Sequence, residues 1–375
     1  MDFAMDRMTR HALLGSGSYG QVWLASVVSS RPRTGGDVVD DNDDDDTHDN
    51  NDNDDGTIHE TDVFALKVQP KYELLLSGHA ERFLAERNIL ASLRSPFVMR
   101  LLYACQDDRR LYMMTPLLQG GELDSLIPMD GFSEVEAKFY AAGILEGLAH
   151  MHSKHIIHRD VKGKNVLLDR SGYPCLIDLG FSKYVPDDNN SKTFTFCGSP
   201  LLTAPEIILY KGHDKGVDYW SWAVTVYRMV TGRYPFFVEG MDELTLYKRI
   251  CRGTFELDGF VSMEFRFLMV SVLYPDPKQR LGSRAYGWDD IFACPWFAND
   301  PSFDLRSLRK RTVKPPWIPP LTDSMLDPSQ FHSDYSSFDD WMDDAKCPEI
   351  PSDRQSIFAS FGPQTNSVGK RVYYS

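Results

Sequence analysis

The sequence predicts an α+β protein whose first part is rich in strands and whose second part is rich in helices. Its 375 residues, 42% hydrophobic and 25% charged, suggest about two folded domains with a sizeable core. Residues 12–28 indicate a strand, a glycine-rich turn and a second strand, in which VWLASVV is β-branched and aromatic. Residues 63–68 form a short apolar strand, whereas residues 79–94 have helical periodicity. This composition excludes a collagen, a disulfide-stabilised miniprotein and a wholly disordered chain.

Later elements follow from local patterns. Two strand-like runs cover residues 98–105 and 110–118. Ser133, followed three residues later by Glu136, predicts a capping box and a helix start. More helices are expected near residues 217–231, 242–252 and 263–273. From about residue 298, Pro, Ser and Asp predominate, which predicts an extended surface tail and not a third domain.

Residues 31–60 interrupt the strands with an acidic segment. Eleven aspartates lie within residues 37–55, and without them the formal charge of −14 becomes −3. We expect a disordered, solvated insertion between neighbouring strands. A substrate mimic, a surface for a basic partner and a weak Ca²⁺ site are alternatives, although EF-hand spacing is lacking. The nearly neutral remainder argues against nucleic-acid binding.

The six cysteines form no CxxC pair, so neither a zinc site nor a disulfide framework is predicted. A reducing compartment fits best, and we expect the cytoplasm, with the nucleus as a second compartment. The first eleven residues are charged and do not resemble a signal peptide. The longest apolar stretch, residues 267–274, is far below the roughly 18 residues of a membrane span.

A glycine-rich motif follows the first predicted strand. Gly15, Gly17, Gly20 and Val22 form GxGxxGxV, whose glycines let backbone amides approach phosphate oxygens. A dinucleotide-binding turn requires a helix directly afterwards, but the strand-like QVWLASVV follows. Taken alone, the motif also fits a tight hairpin.

A second constellation gives the glycine motif its context. His158 begins HRDVKGKN, Asp178 begins DLG thirteen residues after Asn165, Ala204 begins APE, and FALKV contains Lys67. In this order and spacing the motifs resemble the eukaryotic protein kinase family, of the Ser/Thr type. The resemblance implies a two-lobed fold: a small antiparallel β lobe with one principal helix, and a large, mainly helical lobe.

The resemblance also implies the catalytic roles. Lys67 holds the α- and β-phosphates of ATP and pairs with Glu86, for which Glu81 is the competing candidate. Asp160 accepts or orients the proton of the substrate hydroxyl, and Lys162 neutralises the transferring phosphate. Asn165 and Asp178 hold two Mg²⁺ ions.

The nucleotide site is implied in the same way. The glycine-rich turn over the phosphates comprises Gly15, Ser16, Gly17, Ser18, Tyr19 and Gly20. The apolar walls around adenine are Leu14, Val22, Ala65 and Leu167, for which plain core packing is the alternative interpretation. The remaining predicted contacts are the gatekeeper Thr115, the hinge residues Pro116 and Leu118, and the ribose-contacting Glu122. Glu206 and Arg280 resemble the family's buried structural ion pair.

Residues 192–220 are very similar to the activation segment of cyclic-nucleotide-dependent kinases of the AGC group. DPKQRLG, CPWF and PPWIPP agree with that group, as do the tail pairs Phe338/Trp341 and Phe358/Phe361. Thr195 matches the activation-loop phosphorylation site, with Thr193 as the competing candidate. A phosphate on Thr195 would pair with Arg159 and Lys183.

Several positions depart from that group. Leu179 replaces the usual Phe after the metal-binding Asp. Lys164, Leu201 and Arg228 stand where the group has acids that select arginine before the phosphorylated residue, and Leu202 is also unusual. Because a change from acid to cation turns attraction into repulsion, we expect weak preference for basic peptides, or a preference for neutral or acidic sequence near the phosphorylated residue.

Together these observations predict a catalytic domain at residues 10–297 and an AGC-type tail at residues 298–375. The small lobe is expected at 10–115 and the large lobe at 119–297. The predicted function is transfer of the γ-phosphate of Mg·ATP to Ser or Thr of protein substrates. A pseudokinase scaffold and a nucleotide-binding oxidoreductase are the alternatives. Two modes of regulation are possible: either a separate subunit regulates the enzyme, or cyclic nucleotides do not control it.

Overall fold

The computed structural model describes residues 8–17, 20–27, 63–186, 191–257, 259–283, 287–321, 326, 341 and 343–362. The predicted acidic insertion lies outside these ranges, as do Ser18, Tyr19 and Phe338. The described part has an antiparallel sheet followed by a mainly helical region, as the sequence predicts. No helix among the described residues combines the length and apolar character needed to cross a bilayer.

The first region is built on a five-stranded antiparallel sheet of order β1-β2-β3-β5-β4. Its strands are β1 (Met8–Gly17), β2 (Gly20–Val27), β3 (Val63–Pro70), β4 (Tyr103–Gln106) and β5 (Arg110–Pro116). The glycine motif covers the end of β1 and the start of β2, and these two strands pair as an antiparallel hairpin. The helix that a dinucleotide-binding turn requires is not present at this point.

The predicted strand at residues 98–105 is shorter than expected, because its first half turns toward the second region. Val98 forms only an isolated bridge with Leu176, and the amide of Met99 donates to the carbonyl of Leu176 at 2.8 Å. Those backbone groups are therefore satisfied outside the sheet, and the ladder with β5 begins only at Tyr103.

Two helices follow β3: α1 (Lys71–Ser77) and α2 (Ala80–Ser92). α2 coincides with the helix predicted at residues 79–94. It buries Phe83, Glu86, Ile89 and Leu90. A buried glutamate within an apolar helix face needs a charged partner, which makes Glu86 the informative residue of α2.

The second region contains short strands and most of the helices. The strands are β6 (Ile156–Ile157), β7 (Val166–Leu168), β8 (Pro174–Leu176) and β9 (Lys183–Tyr184). The helices are α3 (Leu123–Leu126), α4 (Glu134–His152), α5 (Pro205–Ile208), α6 (Gly216–Thr231), α7 (Glu243–Arg252), α8 (Met263–Val272), α9 (Trp288–Phe292), α10 (Pro295–Ala298) and α11 (Leu305–Arg309). The capping box predicted at Ser133 and Glu136 is confirmed at the start of α4.

α6 is the central helix of this region, since nearly all of its residues are buried. Trp220 and Trp222 have no exposed surface, and the ring of Trp220 stacks on Phe236 at 5.4 Å. Arg280 is fully buried and donates to both carboxylate oxygens of Glu206, at 2.7 and 2.8 Å. The two residues thus form a buried ion pair, as expected from the sequence.

The described tail residues return to the sheet and include one more helix, α12 (Ser352–Gln355). Phe358 and Phe361 are fully buried, and the ring of Phe361 stacks on Phe83 of α2 at 5.7 Å. The Gln106 side chain donates to the carbonyls of Phe358 and Gly362, at 2.8 and 3.1 Å. The tail is therefore not a loose extension: part of it completes the core around α2.

Candidate active site

Lys67 and Glu86 meet at the junction of the sheet and α2. Lys67 lies on β3, opposite Val22 and Met113 of the neighbouring strands. Its Nζ donates to Oε1 of Glu86 at 2.6 Å, and both side chains are largely buried. Glu81 is exposed and has no such contact. A buried charge-assisted pair fixes the position of a lysine amine facing the cleft.

Asp160 is the centre of a dense hydrogen-bond network. Asp160 is only 4% exposed. One oxygen accepts from Lys162 Nζ at 2.7 Å and Asn165 Nδ2 at 2.9 Å. The other accepts from the amide and the hydroxyl of Ser199, at 3.1 and 2.9 Å. Four donors hold the carboxylate in one orientation, which is the preorganisation that a catalytic carboxylate requires.

The loop that carries Asp160 is held from below by Asp218 of α6. Asp218 accepts the amides of His158 and Arg159 at 2.8 and 2.7 Å, and His152 Nε2 lies at 2.8 Å. Burial alone would raise the pKa of Asp218, but the hydrogen bond from His152 and neighbouring positive charge lower it overall. The anchored amides also stabilise Arg159 at its left-handed φ of 71°.

Asn165 and Asp178 are brought together by backbone pairing, since the amide of Ile177 donates to the carbonyl of Asn165 at 2.9 Å. Asn165 uses its Nδ2 on Asp160, which leaves its Oδ1 available as an oxygen ligand. Asp178 takes a left-handed φ of 57°, and one of its oxygens accepts from Gly180 at 3.3 Å.

This donor set suits Mg²⁺, which binds few protein oxygens and completes its shell with water and phosphate. Among the described residues there is no cluster of three or more His, Cys, Asp or Glu that would suit a fully protein-ligated metal. The residues therefore fit a metal shared with a phosphorylated ligand.

Three of the predicted adenine walls lie together on the sheet. Leu14 and Ala65 are buried, with 8% and 9% exposure, and Val22 packs against their cluster. Ala65 pairs with Thr115 across the sheet, next to Pro116 at the end of β5. Leu118, a predicted hinge residue, is buried. Glu122 is exposed and bridges to Leu167 of β7, which is partly exposed. Gly15 and Ser16 lie in β1, which ends at Gly17 opposite Gly20.

The activation segment distinguishes its two threonines. Thr193 is 2% exposed and its hydroxyl accepts from Lys183 Nζ at 3.1 Å, whereas Thr195 is exposed. In this unphosphorylated chain Lys183 contacts Thr193, and its pairing with a phosphate on Thr195 stays a prediction. Arg159 Nε donates to the carbonyl of Phe181 at 2.6 Å, and its Nη1 is buried without a hydrogen-bond partner.

Sequence reasoning missed three residues of this site: Ser199, Asp218 and Arg82. Ser199 holds Asp160, and Asp218 supports the loop. Arg82 of α2 donates to the carbonyl of Gly180 and lies 4.0 Å from the ring of Phe181. Position 82 is one helical turn before Glu86, so helical spacing could have indicated it. Nothing in the spacing of Ser199 or Asp218 points to their partners, because these contacts are long-range.

The structure also revises one expectation about the substrate groove. Arg228 Nε donates to Oδ1 of Asp124 at 3.0 Å, and its guanidinium lies over Tyr234 at 4.8 Å. The positive charge of Arg228 is therefore balanced by Asp124, whereas the sequence predicts a cation that repels basic peptides. Lys164, one residue before Asn165, is exposed. Among the positions that depart from the AGC group, it is therefore the cation whose charge no acid of the described residues balances. Leu179 and Leu202 are buried in the core, and Leu201 is partly exposed and packs against it.

Comparison with known proteins agrees with this geometry. The model of the protein kinase domain matches residues 56–297. A cAMP-dependent protein kinase catalytic subunit of Arthrobotrys oligospora is 34% identical over 73% of this chain and 51% of its own. The cGMP-dependent protein kinase egl-4 of Caenorhabditis elegans is 31% identical over 92% and 39%.

The human cAMP-dependent protein kinase catalytic subunit PRKX is 33% identical over 80% of this chain and 79% of its own. The chain spans about half the length, or less, of the first two relatives. The match to the kinase domain covers more than half of the chain and includes Lys67, Glu86, Asp160, Lys162, Asn165 and Asp178, but not Leu14, Val22 or the glycine-rich turn. The chain therefore belongs to the protein kinase family.

Proposed function

We propose that this chain is a protein serine/threonine kinase that uses Mg·ATP and is activated by phosphorylation at Thr195. The observation that carries the proposal is the network around Asp160, combined with the closed pair between Lys67 and Glu86. Phosphoryl transfer depends on positioning and charge neutralisation, and these residues supply both. The relatives' names support the assignment to protein substrates.

The reaction follows from the orientation of these groups. The substrate hydroxyl passes its proton toward Asp160 as its oxygen forms a bond to the γ-phosphorus. The bond from the γ-phosphorus to the bridging oxygen breaks, and ADP leaves with the electron pair. Lys162 stabilises the transferring phosphoryl group and Lys67 the α- and β-phosphates. Mg²⁺ held by Asn165 and Asp178 would neutralise phosphate charge.

Lys162 precedes Asn165 by three residues and donates to both Asp160 and Ser199, at 2.7 and 3.0 Å. This places its amine beside the carboxylate that would receive the hydroxyl proton. An amine at this position supports an aliphatic hydroxyl as acceptor, in agreement with the Ser/Thr type of motif. Two relatives are named catalytic subunits, which supports a separate regulatory chain as part of the proposal.

The first test is transfer of labelled γ-phosphate from Mg·ATP to a mixed library of Ser, Thr and Tyr peptides. We expect transfer to Ser and Thr, and a loss of about 10²–10⁴-fold in kcat for Asp160→Asn, which removes the carboxylate but keeps its shape. Binding of ATP without any transfer, by the Thr195-phosphorylated protein, would support the scaffold alternative instead.

The role of Ser199 is testable by removing only its hydroxyl. In Ser199→Ala, Asp160 and Lys162 lose a shared partner, and we expect kcat to fall by roughly 10-fold or more while the KM for ATP changes little. Ser199→Thr keeps the hydroxyl and should retain most of the activity. Equal loss in both variants would show that the hydroxyl does not position Asp160.

Phosphorylation of the activation segment should occur at Thr195, because Thr193 is buried and already bonded to Lys183. A phosphate on Thr195 would have the buried Nη1 of Arg159 as a donor. Mass spectrometry of active protein should find the phosphate on residue 195, and Thr195→Ala should lower kcat by about 10-fold or more. Full activity of Thr195→Ala would contradict the proposal.

Peptide preference tests the exposed charge at Lys164. Because Arg228 is neutralised by Asp124, we expect Lys164 alone to disfavour arginine two or three residues before the acceptor. Lys164→Glu should raise the relative kcat/KM of such basic peptides by about 10-fold. Lys278→Glu makes the same change of charge at an exposed lysine after α8 and should not alter selectivity. Strong selection for arginine by the unmodified enzyme would overturn this expectation.

A further inference from the structure

Helix α8 is apolar on its outer as well as its inner face. Phe265, Leu268, Met269 and Val272 point inward and have no exposed surface. On the other side, Met263, Phe267 and Val270 are 73%, 56% and 58% exposed. A surface helix normally carries polar residues on its outer face, and a helix that is apolar all round is normally buried. The outer face of α8 is therefore unlike that of an ordinary surface helix.

The exposed residues form one continuous line, which we call the apolar stripe: Met263, Phe267, Val270 and Tyr274. The spacing of four and three residues places Met263, Phe267 and Val270 on one side of the helix, and Tyr274 follows two residues after the helix ends. Phe260, directly before the helix, is 98% exposed. Glu264 and Arg266 lie to either side of the stripe and not within it, so its centre carries no charge.

Both ends of α8 are fixed to the protein. At the start, Glu134 accepts from the amide and the hydroxyl of Ser262, each at 2.6 Å, and Ser262 caps the helix. At the end, the buried Arg280 donates through Nε to the carbonyl of Tyr274 at 3.1 Å. The stripe is thus presented on a rigid backbone, and binding to it costs little ordering entropy.

We propose that the apolar stripe pairs with the same stripe of a second copy of this chain, as a weak two-fold symmetric dimer. An uncharged line is self-complementary, since antiparallel pairing brings no like charges together at its centre. Phe267 and Val270 lie on either side of the midpoint of the stripe, so Phe267 of one copy would contact Val270 of the other.

The size of the stripe agrees with this occupant. With Phe260, its side chains expose on the order of 600 Å² per copy, given about 150–250 Å² for each large side chain. Two copies would bury roughly 1,200 Å², the lower limit for a specific interface. A contiguous apolar patch of this size is at the upper end of what a typical monomer exposes to water.

Sedimentation velocity of the full chain, over about 1–100 µM, tests the proposal. We expect a monomer–dimer equilibrium with a Kd on the order of 10 µM. The double variant Phe267→Glu/Val270→Glu should raise the Kd by at least about 10-fold, because the dimer would bury four carboxylates at its centre. The matched control is Met129→Glu, a change at a residue that is 97% exposed elsewhere, and it should dimerise normally.

Cysteine trapping provides a second test that does not depend on a disruptive variant. A mixture of Phe267→Cys and Val270→Cys proteins should form a disulfide-linked heterodimer under mild oxidation, faster than Met129→Cys does with either. A chain that stays monomeric up to the highest concentration would overturn the proposal. A dimer that the double glutamate variant leaves undiminished would overturn it as well.

Discussion

The catalytic loop of this kinase domain depends on the carboxylate of Asp218, which is buried beneath it in α6. A buried carboxylate must have its hydrogen-bonding capacity satisfied, and here the donors are the amides of the loop itself and His152. The fully buried α6 therefore sets the position of His158 and Arg159, and through them of Asp160. The burial of α6 thus both packs the core and fixes the geometry of the site.

The other half of the site is positioned from the opposite side, by the pair between Lys67 and Glu86. Glu86 reaches Lys67 only while α2 lies against the sheet, and α2 is covered by the tail through the stack of Phe83 and Phe361. A continuous set of contacts thus runs from residues near the end of the described chain to the amine of Lys67. The site requires α2 in this place, and the tail contributes to keeping it there.

Sequence reasoning succeeded where the signal was local. The hairpin around the glycine motif, the capping box at Ser133 and the periodic helices needed only neighbouring residues. Linear motifs marked Asp160 and Asn165 because the family keeps their spacing. The partners of Arg228 and Ser199 could not be predicted, since Asp124 and Asp160 lie 104 and 39 residues away and no periodicity links them. The structure therefore changed the interpretation of the substrate groove, where charge balance depends on such distant pairs.

The tail can also be regarded as a ligand that the chain carries for its own sheet. Its rings fill a site beside α2, Lys71 is fully buried against Gln355, and Gly362 lies where a side chain would collide with the carbonyl of Ala104. Because the ligand is tethered, its effective concentration is set by the connecting chain and does not change with dilution. A free peptide of the same sequence would compete poorly for that site. Occupancy is consequently a property of each single molecule, independent of the supply of any partner.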